Sequence, residues 1–344
     1  MANATLNLTD IITRTDVDPQ DIQPMVYTPM ELVALVLITA IFLIGIPGNL
    51  FVIYVFGWKQ RHRRNRFELL LLILGCIDLV SLLLVPPSFF YLTVTKFRQW
   101  HFGKVACKIV PSLLQITVSV SQGMLILICY ERYSAIMKPF TNKQISSFRI
   151  FAWLCNVIFV SIVFIYPYAY AFELVENDHG VCCQPRGDRL NYLLASSSLQ
   201  VLRDLMSATT MAILSHRMNK ALYADNDVTT WDRAQMTQKS RKVIKTVVIV
   251  FTILCLPVDL FHLTYYVLVR QNVNLSHVMD SIIVPINTAL NVTQISNSVV
   301  NVFIYSKMHV FFRKYVIHTK LQSKTRTCTV IMDGKFELLD PEDI

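Results

Sequence analysis

An acid and a guanidinium stand side by side at Glu131-Arg132, followed by Tyr133, where an apolar stretch over 106–129 ends. After Lys108 that stretch carries no other formal charge. Charges at the mouth of such a helix are costly to hold beside lipid, so they need partners, and a change of partner makes a switch. A second carboxylate, Asp78, lies inside Leu74-Gly75-Cys76-Ile77-Asp78-Leu79. A lone acid at membrane depth marks a functional position, because it demands a cation, a proton or hydrogen-bond donors. Ser121, Asn297, Ser298 and Asn301 fall at comparable depth in their own apolar segments. One charge and several neutral oxygens suit a small hard cation such as sodium. The competing reading is a hydrogen-bonded patch that only fixes helix packing.

The elements that must hold these groups are set by composition. Of 344 residues, 53% are hydrophobic and 16% charged, with a mean hydropathy of +0.46. Soluble domains carry roughly 25% charged residues, so lipid is the expected solvent. A bilayer core of about 30 Å takes roughly 20 apolar residues per helix. Segments 32–58, 67–93, 104–133, 148–171, 191–217, 243–269 and 279–305 meet that length. The fifth is the weakest, diluted by Ser196, Ser197, Ser198, Arg203 and Asp204. The reading is an all-α membrane protein, a seven-transmembrane helix bundle.

Basic residues set the orientation. Lys59, Arg61, Arg63, Arg64 and Arg66 follow span one; Lys138 and Lys143 follow span three. Arg217, Lys220, Arg233, Lys239, Arg241, Lys242 and Lys245 join spans five and six, and the tail adds more. The other side is sparser, so the N-terminus is expected outside and the tail inside, which requires an odd number of spans and keeps the fifth. The net charge of +9 expresses this asymmetry; no motif supports nucleic-acid binding. The first thirty residues are polar and hold no signal-peptide core, so span one is expected to act as the targeting signal. Asn3 and Asn7 open glycosylation triplets on the outer side, and Asn274 opens another in the last outer loop. Of the eight cysteines, Cys107, Cys182 and Cys183 face the oxidising side. A bridge from the top of span three to the second outer loop is expected, with Cys182 and Cys183 both open as partner. Pro86-Pro87 and Pro257 are expected to bend spans two and six.

These residues, in order, resemble the class A, rhodopsin-like G-protein-coupled receptors. The resemblance rests on Gly48-Asn49, Leu79 beside Asp78, Cys107 twenty-five residues before Arg132, and Glu131-Arg132-Tyr133. It continues through Pro139, Trp153, Phe251 with Pro257, and the run from Asn297 through Asn301 to Tyr305. It covers about residues 30–315. It implies a sodium pocket at Asp78, Ser121, Asn297 and Asn301. It also implies a G-protein switch at Glu131, Arg132, Tyr133, Asn301 and Tyr305, worked by outward movement of span six. The chain departs from the family pattern where Cys255 replaces a tryptophan and Val302 a proline. Span five lacks the family's proline, its inner tyrosine is replaced at Ser215 or His216, and 236–242 holds no acid to pair with Arg132. Glu131 is left as the restraint legible in the sequence.

Leu114 stands where amine receptors of the family carry an aspartate, and Ile295 where retinal proteins carry a lysine. The remaining pocket candidates are polar: Tyr91, Gln115, Arg203, Asp259, His262, Asn287, Asn291 and Gln294. Their mix is loosely similar to neuropeptide receptors of the thyrotropin-releasing-hormone and FMRFamide kind, which implies an extracellular peptide ligand. Arg203 is expected to pair with Asp259 across spans five and six, either in ligand binding or as a structural tie. Glu173, Glu176 and Asp178 offer acids that would attract a basic or amidated peptide.

The expected organisation is an extracellular segment 1–31, a seven-transmembrane domain 32–305, an amphipathic membrane-surface helix 306–316 against the inner leaflet lipids, and a cytoplasmic tail 317–344. Ser323, Thr325, Thr327 and Thr329 in that tail are candidate phosphorylation sites that would recruit arrestin by family analogy. No nucleophile–base motif, metal-ligand spacing or phosphate loop is present, so an enzyme is not expected, nor any cofactor beyond an allosteric sodium ion. The expected function is a plasma-membrane receptor that activates a heterotrimeric G protein. The alternative is a decoy or scavenger that binds ligand without signalling, which the losses at Cys255, Val302 and span five favour.

Overall fold

A computed structural model describes residues 27–59, 65–96, 99–137, 146–177, 180–224, 231–275 and 278–308. Its order is α1 (Pro29–Ile53, continued by a π-helical turn, Tyr54–Lys59), α2 (Arg66–Val94), α3 (Gly103–Met137) and α4 (Ser147–Ala171). A hairpin of β1 (Phe172–Asn177) and β2 (Gly180–Pro185) follows. Then come α5 (Leu190–Ala224), α6 (Trp231–Arg270), a π-helical turn (Met279–Ile283), α7 (Val284–Ile295) and α8 (Asn297–Met308). The seventh span is thus two helices, divided at Ser296, whose hydroxyl turns back to the Thr293 carbonyl at 2.6 Å. The architecture is a bundle of seven spans. Residues 306–308 of the expected surface helix continue α8, and the rest of it lies outside the described residues, as do Asn3, Asn7 and the tail.

The helix starts are written locally. Thr28 and Glu31 form a capping box around Pro29, and Asn65 and Glu68 form another at the head of α2. Ser146 caps α4 by accepting from the Arg149 amide at 3.3 Å. Among the described residues, five helices are long and apolar enough to cross a membrane: Pro29–Lys59, Arg66–Val94, Gly103–Ala135, Ser147–Ala171 and Ile244–Arg270. The helix of span five carries Arg203 and Asp204, and span seven is divided. Leu43, Phe148, Phe159, Val163 and Ile253 are among the large apolar side chains that face outward.

Inside, α3 is the most buried of the apolar helices. The main core joins Leu70, Leu71 and Leu74 of α2 to Met124 and Leu125 of α3, Met211 of α5 and Phe251 and Cys255 of α6. Helix α4 reaches α3 through Gly123: Trp153 Nε1 donates to the Gly123 carbonyl at 3.0 Å. A Cβ built on Gly123 would meet the Val157 methyls at 2.5 and 2.7 Å. Gly123→Ala is therefore expected to cost about 1–3 kcal/mol by overpacking, read as a lowered thermal midpoint of the purified protein. Gly57→Ala, whose nearest contact would be Leu72 at 3.4 Å, should change little.

The hairpin, which local apolar patterning did not announce, closes one end of the bundle. Its strands are antiparallel with Leu174 opposite Cys183 and Val175 opposite Cys182. A disulfide joins Cys107 of α3 to Cys183, with the Cα atoms 5.5 Å apart, and Cys182 keeps a buried thiol. Glu173 is engaged rather than offered to a ligand: Arg186 Nη1 lies 3.0 Å and Arg189 Nη2 3.3 Å from its Oε2. The Arg186 hydrogen bond holds the Glu173 carboxyl below its usual range, so this tie persists at neutral pH and is lost as pH falls through that lowered value. Asp178 lies outside the described residues.

Candidate functional site

At the end of the bundle opposite the hairpin, Glu131 is buried and Arg132 and Tyr133 are half-buried on the last turns of α3. Tyr133 packs against the main core. Glu131 and Arg132 make no ion pair within 4.0 Å, although their charges still act on each other, and Glu131 Oε2 has no hydrogen-bond partner. The Arg132 guanidinium lies instead over the ring of Phe67 on α2, 3.2 Å from its centroid. Neighbours in a helix point about 100° apart, so sequence adjacency never guaranteed that Glu131 would meet Arg132. Tyr305 belongs to α8, and its side chain lies outside what is described.

Midway along the bundle, Asp78 is fully buried. Ser121 Oγ donates to its Oδ1 at 3.2 Å, and Asn301 Nδ2 donates to its Oδ2 at 2.9 Å. The two donors come from α3 and α8, so three helices meet at one carboxylate. Asn297 is also buried, at the start of α8. On α1, Asn49 Nδ2 donates to the Gly45 and Ser298 carbonyls at 3.0 and 3.1 Å, tying span one to span seven. Its Oδ1 is buried without a partner, at the place where a Cβ on Gly75 would approach it to 3.9 Å.

Nearer the hairpin, a second buried polar layer spans α3, α5, α6 and α7. Arg203 Nη2 lies 2.8 Å from Asp259 Oδ2 and 2.8 Å from Asp204 Oδ1. Gln115 Nε2 reaches Asp259 Oδ1 and Gln294 Oε1, both at 3.4 Å. Gln122 Nε2 donates to Asp204 Oδ1 at 2.6 Å. One guanidinium thus faces two buried carboxylates, and Gln115 Oε1, Gln122 Oε1, Asp204 Oδ2 and Gln294 Nε2 are buried with no partner. Gln122 was absent from the sequence candidates, yet it sits seven residues after Gln115. Two helical turns put both amides on one face, and that spacing was the signal for it. A small cavity lies between α3, α4 and α5 against this layer, bounded by Gln115, Ser119, Ser161, Gln200 and Arg203.

The remaining candidates separate into two groups. His262 and Asn287 meet at 2.9 Å, and Asn291 Nδ2 donates to Asn287 Oδ1 at 2.9 Å, forming a small cluster between α6 and α7. Tyr91 does not join it. Its hydroxyl meets His101 Nδ1 at 2.7 Å and the Gln99 carbonyl at 3.3 Å, and its ring abuts Phe102 beneath the hairpin end. The Tyr91 ring has an apolar seat against Trp100 and Phe102, and its hydroxyl has polar partners in the loop after α2.

Residues 48–305 match the family described as 7 transmembrane receptor (rhodopsin family). The chain is 28% identical over 234 residues to C5a anaphylatoxin chemotactic receptor 1 of Canis lupus familiaris, covering 66% of this chain and 63% of that receptor. It is 27% identical over 253 residues to neuropeptide Y receptor type 6 of Oryctolagus cuniculus, covering 68% and 67%. With galanin receptor 2b of Danio rerio it shares 23% over 235 residues, covering 66% and 60%. The matched part therefore spans somewhat under two thirds of the first of these relatives. The ordered motifs, the seven spans and a family match over most of the chain lead to one statement: this protein belongs to the rhodopsin family of seven-transmembrane receptors and is not an enzyme.

Proposed function

We propose that this chain is a plasma-membrane receptor, N-terminus outside, that binds an extracellular peptide and activates a heterotrimeric G protein. The observation that carries the reading is the buried layer of Gln115, Arg203, Asp259 and Gln294. It links four helices and includes α6 two residues after Pro257. A ligand that exchanges hydrogen bonds with this layer pulls on α6 beyond its proline, and a proline-interrupted helix has a backbone bond fewer to resist tilting. Ligand need only prefer the tilted state to populate it. The names of the relatives, receptors for C5a, neuropeptide Y and galanin, support a peptide as ligand. His262, Asn287 and Asn291 form the upper wall of the same pocket, and Tyr91 belongs to its rim.

On the inner side, outward movement of α6 would uncover Arg132 and Tyr133 to the G protein, with Asn301 and Tyr305 of α8 relaying the change from the buried layers. Phosphorylated tail residues would then receive arrestin. Asp78 with Ser121, Asn297 and Asn301 supplies hard oxygens for one sodium ion, and the unpartnered Asn49 Oδ1 of α1, beside Gly75 one turn before Asp78 on α2, supports that fit. The ion would favour the compact state by neutralising Asp78 where it stands.

The test is nucleotide exchange in membranes from cells expressing the chain, screened with a peptide library. Arg132→Ala is expected to drop the response to the ligand-free background while leaving peptide binding intact. A response that survives Arg132→Ala would remove the assigned role of Arg132. The second reading, a decoy or scavenger, is favoured by Cys255, fully buried where the family carries tryptophan. A peptide that binds and is internalised without exchange on any G protein would select it.

A further inference from the structure

Arg132 has a partner that the sequence motif does not contain. Its guanidinium carbon sits 3.2 Å from the centroid of the Phe67 ring. The ring is buried and its position is set on both sides. Asn65 and Glu68 close a capping box, with the Glu68 amide 2.9 Å from Asn65 Oδ1 and the Asn65 amide 3.0 Å from Glu68 Oε2. Arg66 donates to Ser147 Oγ at the head of α4. The first turn of α2 is thus pinned to itself and to α4, and Phe67 is held between those pins. A cation over an aromatic face is attracted by the ring quadrupole, more so where water is excluded. Arg132 Nε is buried with no hydrogen-bond partner, and the charges of Glu131 and Glu68 also act on the guanidinium.

We propose that Phe67 is the positioning residue for Arg132: its ring parks the guanidinium against α2 in the ligand-free state, and coupling requires Arg132 to leave that ring. This rests on the receptor reading above. The device suits a chain whose 236–242 segment holds no acid. An aromatic face restrains the cation without forming an ion pair, so Nε remains for the next partner.

The test has two arms on the full-length protein. In the first, ligand-free nucleotide exchange is measured in membranes at matched surface expression. Phe67→Leu is expected to shift the ratio of released to parked receptor about five- to thirtyfold and raise basal exchange accordingly. Phe67→Tyr and Phe67→Trp keep the ring face and should keep basal exchange low. In the second arm, the purified receptor carries isotope-labelled arginine, and the Arg132 side-chain signal is identified by its loss in Arg132→Lys. A group stacked on a ring face is shifted upfield; that shift should vanish in Phe67→Leu and persist in Phe67→Tyr. Absence of the shift in the unmodified chain overturns the parking itself. A shift that is present, with basal exchange equal in Phe67→Leu and the unmodified chain, overturns the positioning role. If no form of the chain supports exchange, the receptor reading fails, and the spectroscopic arm alone decides whether Phe67 holds Arg132.

Discussion

Arg203→Ala is expected to be among the most damaging single substitutions in the bundle, lowering stability by about 3–5 kcal/mol. The guanidinium is the sole cation within 4.0 Å of Asp204 and Asp259 among the described residues, and those acids are 5% and 0% exposed. Removing it leaves two carboxylates facing each other away from water, the costliest kind of unpaired polar group. The same charge count reverses the usual ranking for the acids. Asp259→Asn leaves Arg203 paired with Asp204, one charge of each sign, and keeps an oxygen for Gln115. It is expected to cost far less than Arg203→Ala. Thermal midpoints of the purified variants check the order. If Asp259→Asn were as damaging as Arg203→Ala, the count of two acids to one cation would not be governing this layer. Because the layer also forms the base of the proposed pocket, peptide binding should be measured on the same variants, separating loss of fold from loss of contact.

Cys183→Ser should cost about 2–5 kcal/mol, whereas Cys182→Ser should be close to neutral. The two thiols are adjacent in β2, and consecutive strand residues point to opposite faces. The hairpin register places Cys183 opposite Leu174, on the face turned toward Cys107 at the head of α3. The bridge closes a long loop, its cysteines separated by 76 positions in sequence, and cross-links over long loops restrict the unfolded chain most in the entropic account. Its loss should also free the hairpin from α3 and disorder the seat of Trp100 and Tyr91, which pack with Cys107 and Cys183. Thermal midpoint and protease sensitivity of the hairpin report both effects. Equal losses from Cys182→Ser and Cys183→Ser would show that the pairing exchanges between the two.

The seven spans were legible because membrane solvation imposes a length and a composition on each helix. That constraint acts on contiguous residues, so it reads directly from the chain. Even the weak fifth span survived, since the basic loops required an odd number. Asp78, Ser121 and Asn301 were also legible as a set, because a buried acid announces itself wherever hydrocarbon surrounds it. The pairing of Arg203 with Asp259 followed from the same logic, whereas the share taken by Asp204 and Gln122 did not. Whether an arginine reaches forward across the bundle or also folds back onto its neighbour depends on rotamers set by packing.

Other features had no local signature. The β-hairpin lies in a short loop whose strands are decided by the distance between α4 and α5 and by the anchor at Cys107. The choice of Cys183 over Cys182 is a matter of strand register, which two adjacent identical residues cannot encode by themselves. Tyr91 sits apart from the His262, Asn287 and Asn291 cluster, in the aromatic cluster formed by the following loop. For Arg132, the sequence by itself determined that a guanidinium ends span three with no acid opposite it in span six. Only the tertiary structure decided what it touches. Glu131 is its neighbour along the chain and makes no ion pair with it within 4.0 Å, while the packing of α2 against α3 delivers the face of Phe67. Solvation of a helix is a property of consecutive residues, while a contact between helices depends on how separate spans are rotated and staggered against one another.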